Sequence, residues 1–498
     1  MIFNKILIAN RGEIASRIIF ACKSLNIKTV AIYYEQDKSL PYVFQADENH
    51  KLSGSGASAY LNQEEIINIA KKFNVEAIHP GYGFLSENSD FAQKVIAAGI
   101  NWIGPSPEII KLMGDKINAK NIMLKAGVPT IPAVFVSHDI EINKLLNLIN
   151  INIGYPVILK DPLGGGGKGI KKVFNPEELE SAFNTIKSES SRLTSSNNIL
   201  IEKYIQKGRH IEVQVAGDGK NFVHLYEREC SIQRRHQKII EEAPCNFLDK
   251  NILNNIYNAA IKAISIINYD NIGTVEFIVT PDNNFYFLEI NTRLQVEHSV
   301  TESITGIDLV LLQISLAQEK NLNLKQENIN IKNHAIECRI YAEDPNNSFM
   351  PSTGKIINLI LPNTPNTRID SNLEQDQEIT AFFDPMLAKI TCSGTTRNIA
   401  IKNMLTILNQ TEISGIKNNI NFLINILNSP EFNSGDIHTQ LIESNILNFL
   451  NNNNFINTHE LEIANIFLKF IQDKNINSNK FNINNYKNIK NWGRKSWL

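Results

Sequence analysis

Apolar residues recur along this chain in two alternating patterns: short β-branched runs, and longer stretches with apolar positions three and four apart. Residues 3–9 and 29–34 predict strands. Between them Ile14, Ile18, Cys22 and Leu25 share one face of a helix over 12–25. This strand-helix-strand order predicts a parallel, doubly wound sheet. A short strand at 77–79 runs into a loop with two glycines. A helix opened by Met113-Gly114-Asp115-Lys116 stops at Gly127 before Pro129.

Further strands are predicted at 156–160, 170–174, 198–205, 210–215 and 222–226, and an amphipathic helix at 249–267. Asn175-Pro176-Glu177-Glu178 carries the cap, first-turn proline and acidic residues of a helix start. Residues 274–280 and 285–291 form a hairpin around Pro281-Asp282-Asn283-Asn284, and 307–318 is an apolar core helix. A third, α+β region starts near His334, with a strand there, strands around Ile356 and Leu387, and helices at 397–408 and 416–427. The chain thus divides into a doubly wound α/β domain over 1–115, a central domain over 116–330 with a flap at about 131–203, an α+β domain over 331–446, and an Asn-rich tail over 447–498. In the tail only residues 461–471 fit a helix, with Trp492 and Trp497 as candidate anchors; the rest reads as weakly ordered.

The hairpin carries the first chemistry. If its four turn residues are the whole loop, Thr280 faces Phe285 and, counting back, Glu276 faces Glu289. Like charges about 5 Å apart on neighbouring strands destabilise a sheet unless something offsets them. Asn291 lies on the same face as Glu289. Two carboxylates and an amide suit a hard cation, Mg²⁺ or Mn²⁺, that takes its other ligands from water and phosphate. The competing reading leaves one carboxylate solvated or paired with Arg293.

Four glycines at 164–167, followed by Lys168-Gly169, join two strands. This is no Walker A loop, because no Gly-Lys-Ser/Thr follows and a strand stands where a P-loop has a helix. Bare backbone between two strands makes a flap that can close over phosphates, with Lys160 entering it and Lys168 leaving it. A flexible linker is the blander alternative. The strand at 198–205 offers an edge to an adenine, and Lys116 is either a phosphate ligand or a solvated charge. Arg228, Arg234, Arg235, His236 and Lys238 crowd residues 228–238, which reads as an anion site or a solvated basic loop, since Glu241 and Glu242 follow. Tyr82, between Gly81 and Gly83, projects from the carboxyl end of a strand, where open α/β sheets bind ligands, or packs in a tight turn.

Composition narrows the classes. At 498 residues, 43% hydrophobic and 20% charged with a formal charge of -2, the chain is globular and has no general polyanion surface, so nucleic acid is not expected. No apolar run reaches about 18 residues, which argues against a membrane span. The N-terminus reads as a strand and not a signal peptide. Five widely spaced cysteines without Cys-x-x-Cys indicate neither a disulfide framework nor a zinc site, and the expected compartment is the cytosol. Residues 10–13 lack Gly-x-Gly-x-x-Gly, so no dinucleotide site is supported. Abundant Ile and Asn carry no functional reading.

Taken together, Ala9-Asn10-Arg11-Gly12-Glu13-Ile14, His79-Pro80-Gly81-Tyr82-Gly83-Phe84-Leu85-Ser86-Glu87, the glycine flap, Gln233-Arg234-Arg235-His236-Gln237-Lys238 and the 289–298 stretch resemble the biotin carboxylase family of ATP-grasp enzymes. The resemblance covers about residues 1–445. Glu-x-Asn-x-Arg alone is common to ATP-grasp enzymes; the 79–87 and 233–238 segments are specific. The resemblance implies a pre-ATP-grasp domain, an ATP-grasp domain and a C-terminal domain. It implies phosphorylation of bicarbonate by MgATP and transfer of CO₂ from carboxyphosphate to the N1′ of biotin. Lys116, Lys160, His210, Gln233 and His236 would hold the nucleotide, Glu202, Lys203, Tyr204 and Ile205 the adenine, and Gly165 and Gly166 would cover the phosphates. Glu276, Glu289 and Asn291 would hold Mg²⁺ or Mn²⁺. Lys238 and Arg293 would grip bicarbonate, with Glu297 the base. Arg339 would stabilise enolate-like biotin, and Tyr82, Gly83, Gln295 and Val296 would line its pocket.

Two stretches depart from the family pattern. Asp161-Pro162-Leu163 stands where small residues and a glycine are usual, stiffening the flap's base. Phe382-Phe383-Asp384 stands where Tyr-Tyr-Asp is common, removing hydroxyls near the mouth of the site. No Met-Lys-Met biotin-attachment site is present, nor room for a carboxyltransferase. The expected partners are therefore a separate biotin carboxyl carrier protein, a second copy in a homodimer, and a carboxyltransferase subunit. The first expectation for the acceptor is acetyl-CoA, for malonyl-CoA and fatty acid synthesis. Lys168 and Asp384-Pro385-Met386 look more like propionyl-CoA, methylcrotonyl-CoA or pyruvate carboxylases. Outside this family stand another ATP-grasp ligase and an inactive nucleotide-binding assembly subunit.

Overall fold

The N-terminal strands are β1 (Lys5–Ile8), β2 (Lys28–Tyr33), β3 (Glu48–Lys51), β4 (Ala77–His79) and β5 (Asn101–Trp102), a parallel sheet in the order β3-β2-β1-β4-β5. Ile6 and Ile8 enter one core and Leu7 the other, the period-two burial of a sheet covered on both faces. The helix Gly12–Ser24 lies on the first of these faces. The computed structural model describes residues 2–161, 169–193 and 197–451. Residues 162–168, which include Gly165, Gly166, Lys168 and Pro162-Leu163, and the tail beyond 451 lie outside the described residues.

The loop after β4 is fixed by β1. Asn10 Nδ2 donates to the carbonyls of Pro80 at 2.7 Å and Tyr82 at 2.8 Å. Gly81 has φ +64°, and a Cβ there would meet Asn10 Nδ2 at 2.9 Å, so only glycine allows the approach. The stretch around residue 115 is two helices, Pro107–Gly114 and Lys116–Lys125, because the Asp115 carboxylate caps the amides of Ile117 and Asn118.

The flap region is an antiparallel sheet of β6 (Ala133–Ser137), β7 (Val157–Lys160), β8 (Ile170–Val173) and β9 (Asn198–Lys203), ordered β6-β9-β7-β8. Asn175 caps the turn that leads into the helix Leu179–Leu193, as its sequence signature predicts.

The largest sheet holds β10 (Arg209–Asp218), β11 (Phe222–Arg234), β12 (Gln237–Ala243), β13 (Asp270–Val279), β14 (Phe285–Asn291), β15 (His334–Tyr341), β16 (Thr367–Ser371) and β17 (Met386–Gly394). Their order is β14-β13-β10-β11-β12-β15-β17-β16. It continues across residue 331, because β12 pairs with β15. The α+β region thus extends the central sheet and adds three small two-stranded sheets. Residues 1–446 form one body, and 447–498 a second, of which only the end of the helix Leu441–Asn451 is described.

Two sequence expectations change here. Residues 228–238 are not a solvated loop: β11 and β12 are joined by Arg235-His236, both with positive φ, and Arg228 is fully buried. The β13–β14 hairpin has a five-residue loop, closing Val279 on Phe285, and a bulge at Leu288. The longer loop shifts the register by one and the bulge restores it, so Glu276 still faces Glu289 and Thr274 faces Asn291. All five cysteines are buried and unpaired. Among the described residues no single helix is long and apolar enough to cross a membrane.

The hairpin's root is anchored by a close approach. A Cβ on Gly273 would lie 2.1 Å from the Tyr269 hydroxyl oxygen and 2.6 Å from Cζ. Gly273→Ala should therefore lower stability by about 1–3 kcal/mol through overpacking. Urea denaturation measures it; an unchanged midpoint would refute the contact's importance.

Candidate active site

A buried ammonium organises the largest sheet. Lys238 Nζ, from β12, lies 2.5 Å from Glu212 on β10, 2.9 Å from Glu276 on β13 and 2.7 Å from Glu297, which precedes the helix His298–Thr305. Glu212 and Glu276 are direct cross-strand partners, a like-charge pair that Lys238 bridges. Arg228 closes the group from below, donating to Glu212, Gln214, Thr301 and Thr274. Arg339 closes it on the other side, pairing with Glu241 and, at 3.0 Å, with Glu297.

Burial pushes the Glu297 carboxyl up, but Lys238, Arg339 and Arg228 outweigh it and hold the group well below the usual carboxylate range. Neighbouring positive charge thus favours the carboxylate form of Glu297. Burial would also lower Lys238, yet Glu212, Glu276 and Glu297 carry it well above the ordinary lysine value. Glu241 goes the other way: burial raises it to about 8 despite Arg339.

The two hairpin carboxylates are unequally compensated. Burial raises Glu276, but Lys238 and His210, whose Nε2 lies 2.9 Å away, bring it below the normal range. Glu289 is raised by burial and then by the charge of Glu276, with Lys116 offsetting only part. Asn291 Nδ2 donates to Glu276 at 2.9 Å. Two facing carboxylates and an amide, one carboxylate under-compensated, form a donor set that fits a divalent cation. Arg293 is not the counter-ion of this pair: it bonds Glu87 at 2.9 Å and the side-chain oxygens of Asn291 and Gln295, each at 3.2 Å.

Every described residue expected in the site lines one cleft of about 1230 Å³. On its nucleotide side, Glu202 accepts from Lys160 at 2.7 Å and Lys120 at 2.6 Å. His210 Nδ1 meets the Gln233 amide at 2.8 Å. Lys203 spends its ammonium on the carbonyls of Gly154 and Tyr155, and the Tyr204 hydroxyl accepts from Gln440. His236 is exposed at the turn joining β11 and β12. On the far side, the Tyr82 hydroxyl donates to Glu13 and the Val296 carbonyl accepts from Lys389.

Family models described as biotin carboxylase N-terminal domain, carbamoyl-phosphate synthase L chain ATP binding domain, and biotin carboxylase C-terminal domain match residues 2–110, 115–325 and 337–444. Biotin carboxylase 2 of Bacillus subtilis is 47% identical over 447 residues, 89% of this chain and 100% of that protein. The chain belongs to the biotin carboxylase family. Membership makes it an ATP-dependent carboxylase of the ligase class. A pyruvate carboxylase subunit of Methanothermobacter thermautotrophicus is 44% identical over 445 residues, 89% of this chain and 90% of that protein. The biotin carboxylase domain dimer of Hydrogenobacter thermophilus 2-oxoglutarate carboxylase, solved with MgADP, ADP and bicarbonate, superposes with a TM-score of 0.87. It is 42% identical, covering 90% of this chain and 99% of that one.

Several residues of this biotin carboxylase site escape motif reading. Glu212, Lys120 and Lys389 each touch an expected site residue. The available signal is parity: His210, Glu212 and Gln214 are polar at alternate positions of an otherwise apolar strand. The Phe383 departure is occupied rather than open. Its ring lies 3.8 Å under the Arg11 guanidinium and edge-on to Tyr34 and Tyr60, whereas Phe382 is exposed.

Lys238→Met would leave three buried carboxylates without their shared cation, at a cost of about 3–5 kcal/mol. In the native protein Glu276 and Glu297 titrate below their ordinary value, so their stabilisation is complete above the usual carboxylate range and fades as pH falls. The deficit of the variant should accordingly be larger at pH 7 than at pH 4 in urea denaturation, because the unfolded carboxylates begin to take up protons only below their ordinary range. An equal deficit at both would contradict the charge argument.

Proposed function

We propose that this chain catalyses the ATP- and bicarbonate-dependent carboxylation of biotin presented by a carrier protein. The observation that carries the reading is Glu297, an ionised base between Lys238 and Arg339, at the place where the nucleotide and biotin sides of one cleft meet.

Lys238 and Arg293 hold bicarbonate, and Glu297 removes its proton as an oxygen attacks the γ-phosphorus of ATP and ADP leaves, giving carboxyphosphate. Lys116, Lys160, His210, Gln233 and His236 position the nucleotide, with the 202–205 segment at the adenine and Gly165 and Gly166 over the phosphates. Glu276, Glu289 and Asn291 would hold Mg²⁺ or Mn²⁺, whose charge would clamp the phosphates and offset charge developing in transfer. Carboxyphosphate breaks down to CO₂ and phosphate, the phosphate takes the N1′ proton of biotin, and N1′ of the resulting enolate-like form, which Arg339 stabilises, bonds the CO₂ carbon. Tyr82, Gly83, Gln295 and Val296 hold the ureido ring in place.

The acceptor is set by the carboxyltransferase, which this site never meets. The expected assignment is acetyl-CoA carboxylase; similarity to the pyruvate carboxylase of Methanothermobacter supports a keto-acid complex as the second reading. The dimer described for the Hydrogenobacter domain supports a homodimer here, and five unpaired cysteines support a reducing compartment, the cytosol. Co-purification of the carrier and carboxyltransferase from the source organism would identify the acceptor.

Phosphate release measured with bicarbonate, with and without free biotin, should show bicarbonate-dependent turnover that biotin stimulates. Glu297→Gln should lower it by roughly 10²–10⁴-fold, the range for loss of a positioned base. Turnover indifferent to biotin, or to that substitution, would overturn the assignment in favour of another ATP-grasp ligase; absence of turnover would favour an assembly role.

A further inference from the structure

Lys120 enters the nucleotide side of the cleft without belonging to any of the motifs. It lies one turn beyond Lys116 on the helix Lys116–Lys125 and is only 6% exposed. Its Nζ is 2.6 Å from Glu202 Oε1, while Lys160 Nζ is 2.7 Å from the other oxygen, Oε2. Glu202 itself is buried on β9, an inner strand of the flap sheet, opposite Ala133 on one side and Ile158 on the other. Lys160 ends β7, directly before the flap. One buried carboxylate thus receives two ammonium groups, one from the helix that carries Lys116 and one from the strand that leads into the flap.

Counting charges shows what this arrangement permits. A buried carboxylate deprived of its partner is strongly destabilising. Were Lys160 its sole partner, moving Lys160 to a phosphate would strand Glu202, and nucleotide binding would carry that penalty. With Lys120 in place, Glu202 stays compensated wherever Lys160 points, and the second positive charge is in excess.

We infer that Lys120 is a positioning residue for the nucleotide: it neutralises Glu202 so that Lys160 can leave this carboxylate for a phosphate of a nucleoside di- or triphosphate. The inference rests on the nucleotide-binding reading of the cleft and not on the carboxylation step. A purely structural Lys120, pinning its helix to β9, would lower stability without the specific coupling to Glu202.

Isothermal titration calorimetry of MgADP on the full chain tests it without any carboxylation. Lys120→Met should weaken MgADP about 10-fold, a Coulombic change of the size expected when one of two buried pairings is lost. Lys120→Arg should stay within about 3-fold of the native chain, because the charge is kept. The double variant Lys120→Met/Glu202→Gln should bind within about 3-fold of Glu202→Gln alone, since no charge is left to neutralise. Lys120→Gln, which retains a hydrogen bond but no charge, carries the same test if the Met variant does not fold. Native affinity in both uncharged variants, or losses that simply multiply in the double variant, would overturn the inference. Failure of the native chain to bind MgADP would overturn it together with the nucleotide site; binding without bicarbonate-dependent turnover would overturn only the proposed reaction.

Discussion

The site depends on one ammonium group held by three carboxylates. Glu212, Glu276 and Glu297 come from two strands and a helix start, and without Lys238 their mutual repulsion in a water-poor interior would oppose the sheet register that brings them together. Arg228 and Arg339 extend the same balance outward to Glu212, Glu241 and Glu297. The charges that stabilise this part of the fold are therefore the charges that hold Glu297 in its carboxylate form.

The surrounding architecture serves that balance. An antiparallel sheet running from the hairpin through β12 into β15 lets Lys238 and Arg339, about a hundred residues apart, project beside one another. The doubly wound domain meets it through Glu13, which accepts from Tyr82 and lies 3.6 Å from Lys389 on β17, whose ammonium also holds the Val296 carbonyl. Buried polar groups of this kind are tolerated because each finds a partner, and each partner comes from a different segment of the chain.

How much is legible in advance differs from element to element. The Glu276–Glu289 pairing can be read from the sequence because side-chain parity survives even a loop of the wrong length: the extra loop residue and the bulge at Leu288 cancel. The 228–238 stretch reads as a basic loop because its charge outweighs its strand pattern, whereas Arg228, Arg234 and Lys238 are paired inside the sheet. Glu212 is marked only by its alternation with His210 and Gln214, and Lys120 carries no local signature, since an isolated Lys on a helix is most often solvated.

Local order, then, lay in the amino-acid sequence: which segments are strands or helices, which faces they present, and which motifs mark the family. These follow from backbone periodicity and from residues adjacent in the chain. Which charges meet was decided by the tertiary structure alone. Lys238 finds Glu212, Glu276 and Glu297, and Glu202 finds both Lys120 and Lys160, because Coulomb energy in a poorly screened interior depends on distance in space and not on separation along the chain.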